Sequence, residues 1–442
     1  MLPSGAEGAG RHMRDEIRAG RKWARAVLIS GMAAGMVLLT GCGAEGTAPV
    51  VVQNQNNVTI SMSWWGNDER HAYTLSGLGL FHEEHPDITV SHMYGVWDGF
   101  EQRNRIYMES HTEADVMQIN FDWLSTYSPD GDGYYDLEKL KDVIDLSNFT
   151  DEDLAFGTKR GKLNALPIAY NSTAFFYNKT LYDKYGLDLP KSWDDLFAAA
   201  KKMSGDGLYP IGLTEKQLIL SLAAWYEQTY AQPLFSDDGK LNADQEKMKA
   251  TIAFYKKLIT DKVMPAANEF DATVFSSGKT AGAGCWSSDA SRYCDPLKEK
   301  GDEVVIGEPL GISRSSTTGW HIKPATMLAI NVYTDYPEEA GELLNFMMND
   351  PRMAKLQGTE KGVPVSKTAL KTLQENNLLD TYEALAGEQL TRNKGKLHVM
   401  TPILENSDMI EAFRNETDKY LYGKEDLDTC ADNLISLINA IG

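Results

Sequence analysis

Residues 58–119 read VTISMSWWGNDERHAYTLSGLGLFHEEHPDITVSHMYGVWDGFEQRNRIYMESHTEADVMQI. From Val58 to Trp64 apolar and polar side chains alternate strictly, the period of a strand whose two faces meet different surroundings. Gly66-Asn67 interrupts that pattern, and a helical stretch runs from about Glu69 to His85, where Pro86-Asp87 ends it. Ile88 to Tyr94 reads as a second strand, Phe100 to Ser110 as a second helix and Asp115 to Ile119 as a third strand. Strand, helix, strand, helix, strand specifies an α/β fold with a parallel sheet, in which ligands gather beyond the carboxyl ends of the strands. Those three ends carry Trp65-Gly66-Asn67, Trp97-Asp98 and Asn120-Phe121-Asp122.

Downstream, Leu163 to Tyr177 is extended, and Ser192 is placed to cap a helix that runs to Met203. Helices are expected over 216–230, 243–259, 337–348 and 426–441, with strands near 282–285 and 326–332. Trp225 and Tyr226 share a helical face with Leu218, Leu222 and Tyr230, which points to packing. No internal repeat is present.

Upstream, Arg14, Arg18, Arg21, Lys22 and Arg25 precede an uncharged apolar run from Ala26 to Leu39. This is the order of a secretory signal, and the run is short for a membrane span. Leu39-Thr40-Gly41-Cys42 resembles a bacterial lipobox, which implies that residues 1–41 are a signal peptide and that Cys42 is acylated and becomes the new N-terminus. Residues 42–57 then form a lipidated tether, and lipid is the chain's one membrane contact. That places the protein on the outer face of the bacterial cytoplasmic membrane.

The chain carries a formal net charge of −20 over 442 residues. Residues 1–42 hold six Arg/Lys against three Asp/Glu, so the remainder carries 23 excess negative charges. Such a surface repels nucleic acid and points to neutral or cationic solutes, or to proteins, as partners. Cys285, Cys294 and Cys430 make an odd number, and the spacing of Cys285 and Cys294 leaves a bridge between them open. Several catalytic or metal motifs fail on inspection. Ser277-Gly278-Lys279-Thr280 lacks the earlier glycine of a phosphate loop, since Thr273 stands there. His82 and His85 are spaced by three rather than four, and Asp130-Gly-Asp-Gly133 lacks the later ligands of a calcium loop. No metal or cofactor is expected.

Three stretches then match a known pattern. Ala165-Leu-Pro-Ile-Ala-Tyr-Asn-Ser-Thr-Ala-Phe-Phe-Tyr-Asn-Lys-Thr-Leu-Tyr182 leads through Tyr185-Gly186-Leu187 to Pro190-Lys-Ser-Trp-Asp-Asp-Leu196. Phe275-Ser-Ser-Gly-Lys279 is followed by Gly282-Ala-Gly-Cys-Trp286, and Tyr336-Pro-Glu-Glu-Ala340 to Phe346 by Gly362-Val-Pro-Val-Ser366. In this order the chain resembles the family 1 extracellular solute-binding proteins of ATP-binding-cassette importers, which are mostly carbohydrate binders. The resemblance implies a periplasmic-binding-protein-like fold, two α/β lobes closing about a hinge on an interlobe cleft. It places the first lobe at 58–169 plus 328–360 and the second at 170–327 plus 361–442. It further implies a monomer without catalytic residues that hands an oligosaccharide to transmembrane permease subunits.

A sugar offers C–H faces for aromatics to stack on and hydroxyls for carboxylates, amides and Arg. Trp65, Trp97 and Trp286 are the stacking candidates, Trp65 being chosen over Trp64 because it lies nearer the loop. Asn67, Asp98, Asn120, Asp122 and Asn171 are hydroxyl candidates, with Tyr170 and Arg292 as further contacts. An ion pair within the second lobe is an equal reading of Arg292. Two other functions stay open. A surface glycoside hydrolase would need two facing carboxylates, for which Asp98 and Asp122 are conceivable. The same fold could also bind a peptide, a polyamine or a phosphorylated polyol, although aromatic and acidic loops argue against phosphate.

Overall fold

A computed structural model describes residues 57–312 and 315–441; Cys42 and the expected signal peptide, residues 1–41, lie outside them. Strand β1 (Val58–Trp65), helix α1 (Asp68–Glu84), strand β2 (Ile88–Gly95), helix α2 (Phe100–Ser110) and strand β3 (Val116–Ile119) fall within one residue of the boundaries expected above. The later strands of the larger sheets are β4 (Ala165–Pro167), β5 (Tyr170–Asn171), β6 (Thr173–Asn178), β7 (Gly212–Leu213), β8 (Gly282–Trp286), β9 (Val304–Gly307), β10 (His321–Pro324), β11 (Met327–Ile330) and β12 (His398–Val399).

The first sheet has the order β2-β1-β3-β11-β4. Its first three strands are parallel, and β11 and β4 add antiparallel pairs. The alternation in β1 sends Ile60, Met62 and Trp64 into one apolar layer with Phe81 of α1. Trp65 faces the other, with Phe100 of α2 and Ile119. Trp64 is fully buried and donates its indole N–H to His71 Nδ1 at 3.2 Å.

The second sheet has the order β9-β6-β8-β7 and its own two core layers. All six residues of β6 are buried. One layer holds Trp193, Trp320 and the helix Glu215–Tyr230, in which Tyr226 is fully buried and Trp225 stacks on Phe254 at 4.4 Å. Cys285 and Cys294 lie in the other layer as free thiols, so the bridge left open by their spacing is not formed, and Cys430 is also free.

Between the sheets the chain crosses at β5 and β10, which pair antiparallel through Asn171 with Lys323 and Tyr170 with Pro324. It crosses again after Glu375, since Tyr382 and Ala386 join a core layer of the second sheet. Gly362 lies beside the first crossing, where φ is +96° and a Cβ would lie 3.1 Å from that of Ala169. Glycine suits this position because the left-handed backbone and the close approach both disfavour a side chain. Residues 361–375 were expected in the second lobe, but they pack on the first. Val365 N–H donates to Ile168 O, Ser366 Oγ to Asn349 Oδ1 and Thr368 N–H to Asn148 Oδ1. The helix Lys367–Glu375 caps itself on Ser366 there. No helix among the described residues is long and apolar enough to cross a membrane.

Candidate functional site

The carboxyl ends of β1, β2, β3 and β8 open onto one cavity of about 770 Å³ between the two sheets. Of the ten non-lipid residues expected to contact ligand, Trp65, Asn67, Trp97, Asn120, Asn171, Trp286 and Arg292 line it. On the first wall Trp65 sits 5.0 Å from Trp97 and 5.6 Å from the buried Trp123. Trp97 leaves 39% of its surface exposed. Trp286 forms the facing wall, half-buried at the end of β8.

Not every lining residue is free to bind. Asn67 spends its side-chain oxygen capping α1 through Arg70 N–H. Asn171 is buried, accepting from Ser287 Oγ at 2.7 Å and Ser288 N–H at 3.1 Å while donating to Ser288 Oγ at 2.9 Å. It fastens the end of β8 to the crossing strand, so its amide is occupied.

Three expected contacts fall elsewhere. Asp98 is exposed and outside the lining, because the chain turns outward after Trp97 into α2. Tyr170 turns from the cleft and donates its O–H to Asp153, with Lys394 Nζ 4.8 Å from its ring. Asp122 is buried at the head of a short helix, Trp123–Tyr127, and does not line the cavity. With one carboxylate on the surface and the other buried, Asp98 and Asp122 are not the facing pair that glycoside hydrolysis requires.

The sequence reading missed the charged residues of the cleft. Lys216, Lys323 and Glu405 line its floor. Glu405 accepts from Lys216 Nζ at 3.4 Å and pairs with Lys323 Nζ at 2.9 Å, and Lys323 also stands 4.9 Å from the Trp286 ring centroid. Both Lys323 and Glu405 are buried, whereas the Lys216 side chain keeps 26% of its surface. Burial pulls the Lys323 ammonium below the ordinary lysine range, and the two ammonium groups hold the Glu405 carboxyl low against its own burial. Burial, reinforced by the neighbouring Glu405 carboxylate, lifts the Asp122 carboxyl to about 7.

At the opposite end Arg70 reaches from α1 across the cleft. It donates to Asp289 Oδ1 at 3.0 Å and Ser288 O at 3.2 Å, fixing the mouth between the lobes. Arg292 lies beside Asp289, whose charge favours the guanidinium against its burial, so the ion-pair reading of Arg292 has a partner close by.

The chain matches the family profile described as "Bacterial extracellular solute-binding protein" over residues 68–353. A periplasmic oligogalacturonide-binding protein of Yersinia enterocolitica, solved in complex with saturated digalacturonic acid, is 30% identical. It superposes with a TM-score of 0.81 over 87% of this chain and 98% of its own. A periplasmic solute-binding protein of Pectobacterium atrosepticum is 29% identical, with the same TM-score and coverage. The sn-glycerol-3-phosphate-binding periplasmic protein of Brucella melitensis is 25% identical, covering 69% of this chain and 73% of that protein.

Proposed function

The chain belongs to the bacterial extracellular solute-binding protein family, and from that premise we propose that it captures a carboxylated oligosaccharide and delivers it to the permease subunits of an ATP-binding-cassette importer. The observation that carries this reading is the composition of one cavity: aromatic faces on both walls, and two lysines that share one buried carboxylate on the floor. Rings stack on Trp97 and Trp286, while Lys216 offers an ammonium to a ligand carboxylate. The similarity to the digalacturonic acid complex supports an acidic sugar. The acidic surface of the whole chain argued for neutral or cationic solutes, but total charge does not describe the floor of a cleft.

Calorimetric titration with digalacturonate, its neutral dimethyl ester and glycerol 3-phosphate tests the reading. Digalacturonate should bind at least tenfold more tightly than the ester, a difference of about 1.4 kcal/mol. Equal affinities would mean that the lysines serve only the fold. Preference for glycerol 3-phosphate would favour a phosphorylated polyol, which the lysines and the Brucella relative also suit.

Cys42, acylated, is the proposed anchor at the outer face of the cytoplasmic membrane, and its support is the lipobox-like run Leu39-Thr40-Gly41-Cys42. A Cys42→Ala chain should pass into the medium. Its retention with membranes, carrying lipid, would refute the anchor.

A further inference from the structure

Three charged groups from separate parts of the chain meet on the cleft floor, and a fourth, Asp122, is buried behind it within their electrostatic reach. Asp122 follows β3 of the first lobe, Lys216 opens the helix Glu215–Tyr230 of the second, Lys323 lies on the crossing strand β10, and Glu405 ends the short helix Pro402–Glu405. Glu405 engages both lysines, whereas Asp122 Oδ1 is buried with no hydrogen-bond partner. Glu101 of α2 also faces Asp122 and accepts from Ser407 Oγ at 3.2 Å. The hydroxyls of Tyr127 and Tyr134 complete its titratable surroundings.

With Asp122 and Glu405 both ionised, the two lysines are already balanced, the partly exposed Glu101 adds further negative charge, and nothing remains for an anionic ligand. Seating a ligand carboxylate on Lys216 would place three carboxylates against two ammonium groups where water is scarce, and excess buried charge of one sign is costly. The balance returns when one carboxylate takes a proton. Glu405 is held by two ammonium groups, so the proton goes to the carboxylate with the fewest partners.

We propose that a carboxylated saccharide binds this cleft with uptake of one proton from solvent onto the Asp122 carboxylate. Asp122 is thus a specificity-determining residue: protonated, it leaves two ammonium groups against the one buried Glu405 carboxylate for an acidic sugar, and ionised, it balances them. The inference rests on the carboxylated-ligand reading above. The raised proton affinity of Asp122 is consistent with it, since the free chain then loses that proton near neutral pH.

Proton uptake is measured by titrating the folded chain with digalacturonate at pH 6 and pH 8, each in two buffers of different ionisation enthalpy. Uptake should approach one proton per ligand at pH 8 and be small at pH 6. Affinity should fall by up to about tenfold per pH unit above 7, the slope for one linked proton. The neutral dimethyl ester should bind without uptake. In Asp122→Asn both the uptake and the pH slope should disappear.

Absence of uptake in the wild type at pH 8 overturns the proposal even if Asp122→Asn fails to fold, and undiminished uptake in Asp122→Asn overturns it as well. Failure of digalacturonate to bind at any pH removes the carboxylated-ligand reading and this inference with it. Binding without uptake removes the inference alone.

Discussion

Replacing Lys323 with Met is expected to destabilise the folded chain by about 3–5 kcal/mol, because it leaves half of a buried ion pair behind. Lys323 is 2% exposed and Glu405 4%, and among the described residues Lys216 is the one cation still paired with Glu405, at 3.4 Å. A longer contact to a partly exposed ammonium does not compensate a carboxylate that has lost its close partner. Lys323→Met combined with Glu405→Leu should recover most of the loss, since an apolar pair of similar volume avoids the desolvation of both charges. Urea denaturation of the two variants checks this. A single substitution costing under about 1 kcal/mol would show the floor to be well hydrated and the pair to behave like a surface bridge. The double variant keeps Lys216 and frees it from Glu405, so it should still prefer digalacturonate to the neutral dimethyl ester, which separates stability from charge selection.

Trp286→Ala should cost about 1.5–3 kcal/mol of binding through lost apolar contact with a sugar ring, roughly a 10- to 150-fold weaker Kd. Its loss of stability should be smaller than that of Trp320→Ala, where a fully buried indole packs edge-on against Phe175 at 5.1 Å and donates to Leu310 O at 2.8 Å. Emptying that site should remove about 3–5 kcal/mol of stability and leave the cleft unchanged. Affinity and unfolding midpoint measured on both variants should therefore change in opposite proportion. Wild-type affinity in Trp286→Ala would take this residue out of the site.

The first sheet was legible because its strands separate unlike surroundings. Ser61 and Ser63 alternate with Ile60, Met62 and Trp64, and the period of two survives in the sequence. Strand β6 carries no such signal, since Thr173 to Asn178 are all buried and both faces are core. Its antiparallel partners, Gly282–Trp286 and Val304–Gly307, lie more than 100 residues downstream, and no local pattern specifies pairing at that separation.

Four helices between Pro351 and Leu421 went unanticipated, although Asp350, Ser366, Thr381 and Asn406 cap them through their side chains. Their apolar stripes are narrow, so the caps were the stronger signal. Asn171 and Tyr170 carry side chains that suit sugar hydroxyls, and they lie where the chain crosses between the sheets. There the pull of neighbouring partners, Ser287 and Ser288 for one and Asp153 for the other, turns both to structural work.

The cleft charges were invisible for a different reason. Lys216, Lys323 and Glu405 are scattered over nearly 190 residues, and folding alone brings them together. One clue existed. Lys323 interrupts a run, Trp320 to Ile330, that is otherwise nearly free of charge, and a lysine buried in such a strand needs a partner.

The most direct test of the account is a crystal structure of the chain bound to digalacturonate. The account predicts a sugar ring stacked on Trp286 and a ligand carboxylate within hydrogen-bonding distance of Lys216 Nζ, with both lobes contacting the ligand. A saccharide bound outside the cleft, or one whose carboxylates face solvent while Lys216 and Lys323 remain engaged by Glu405 alone, would contradict it.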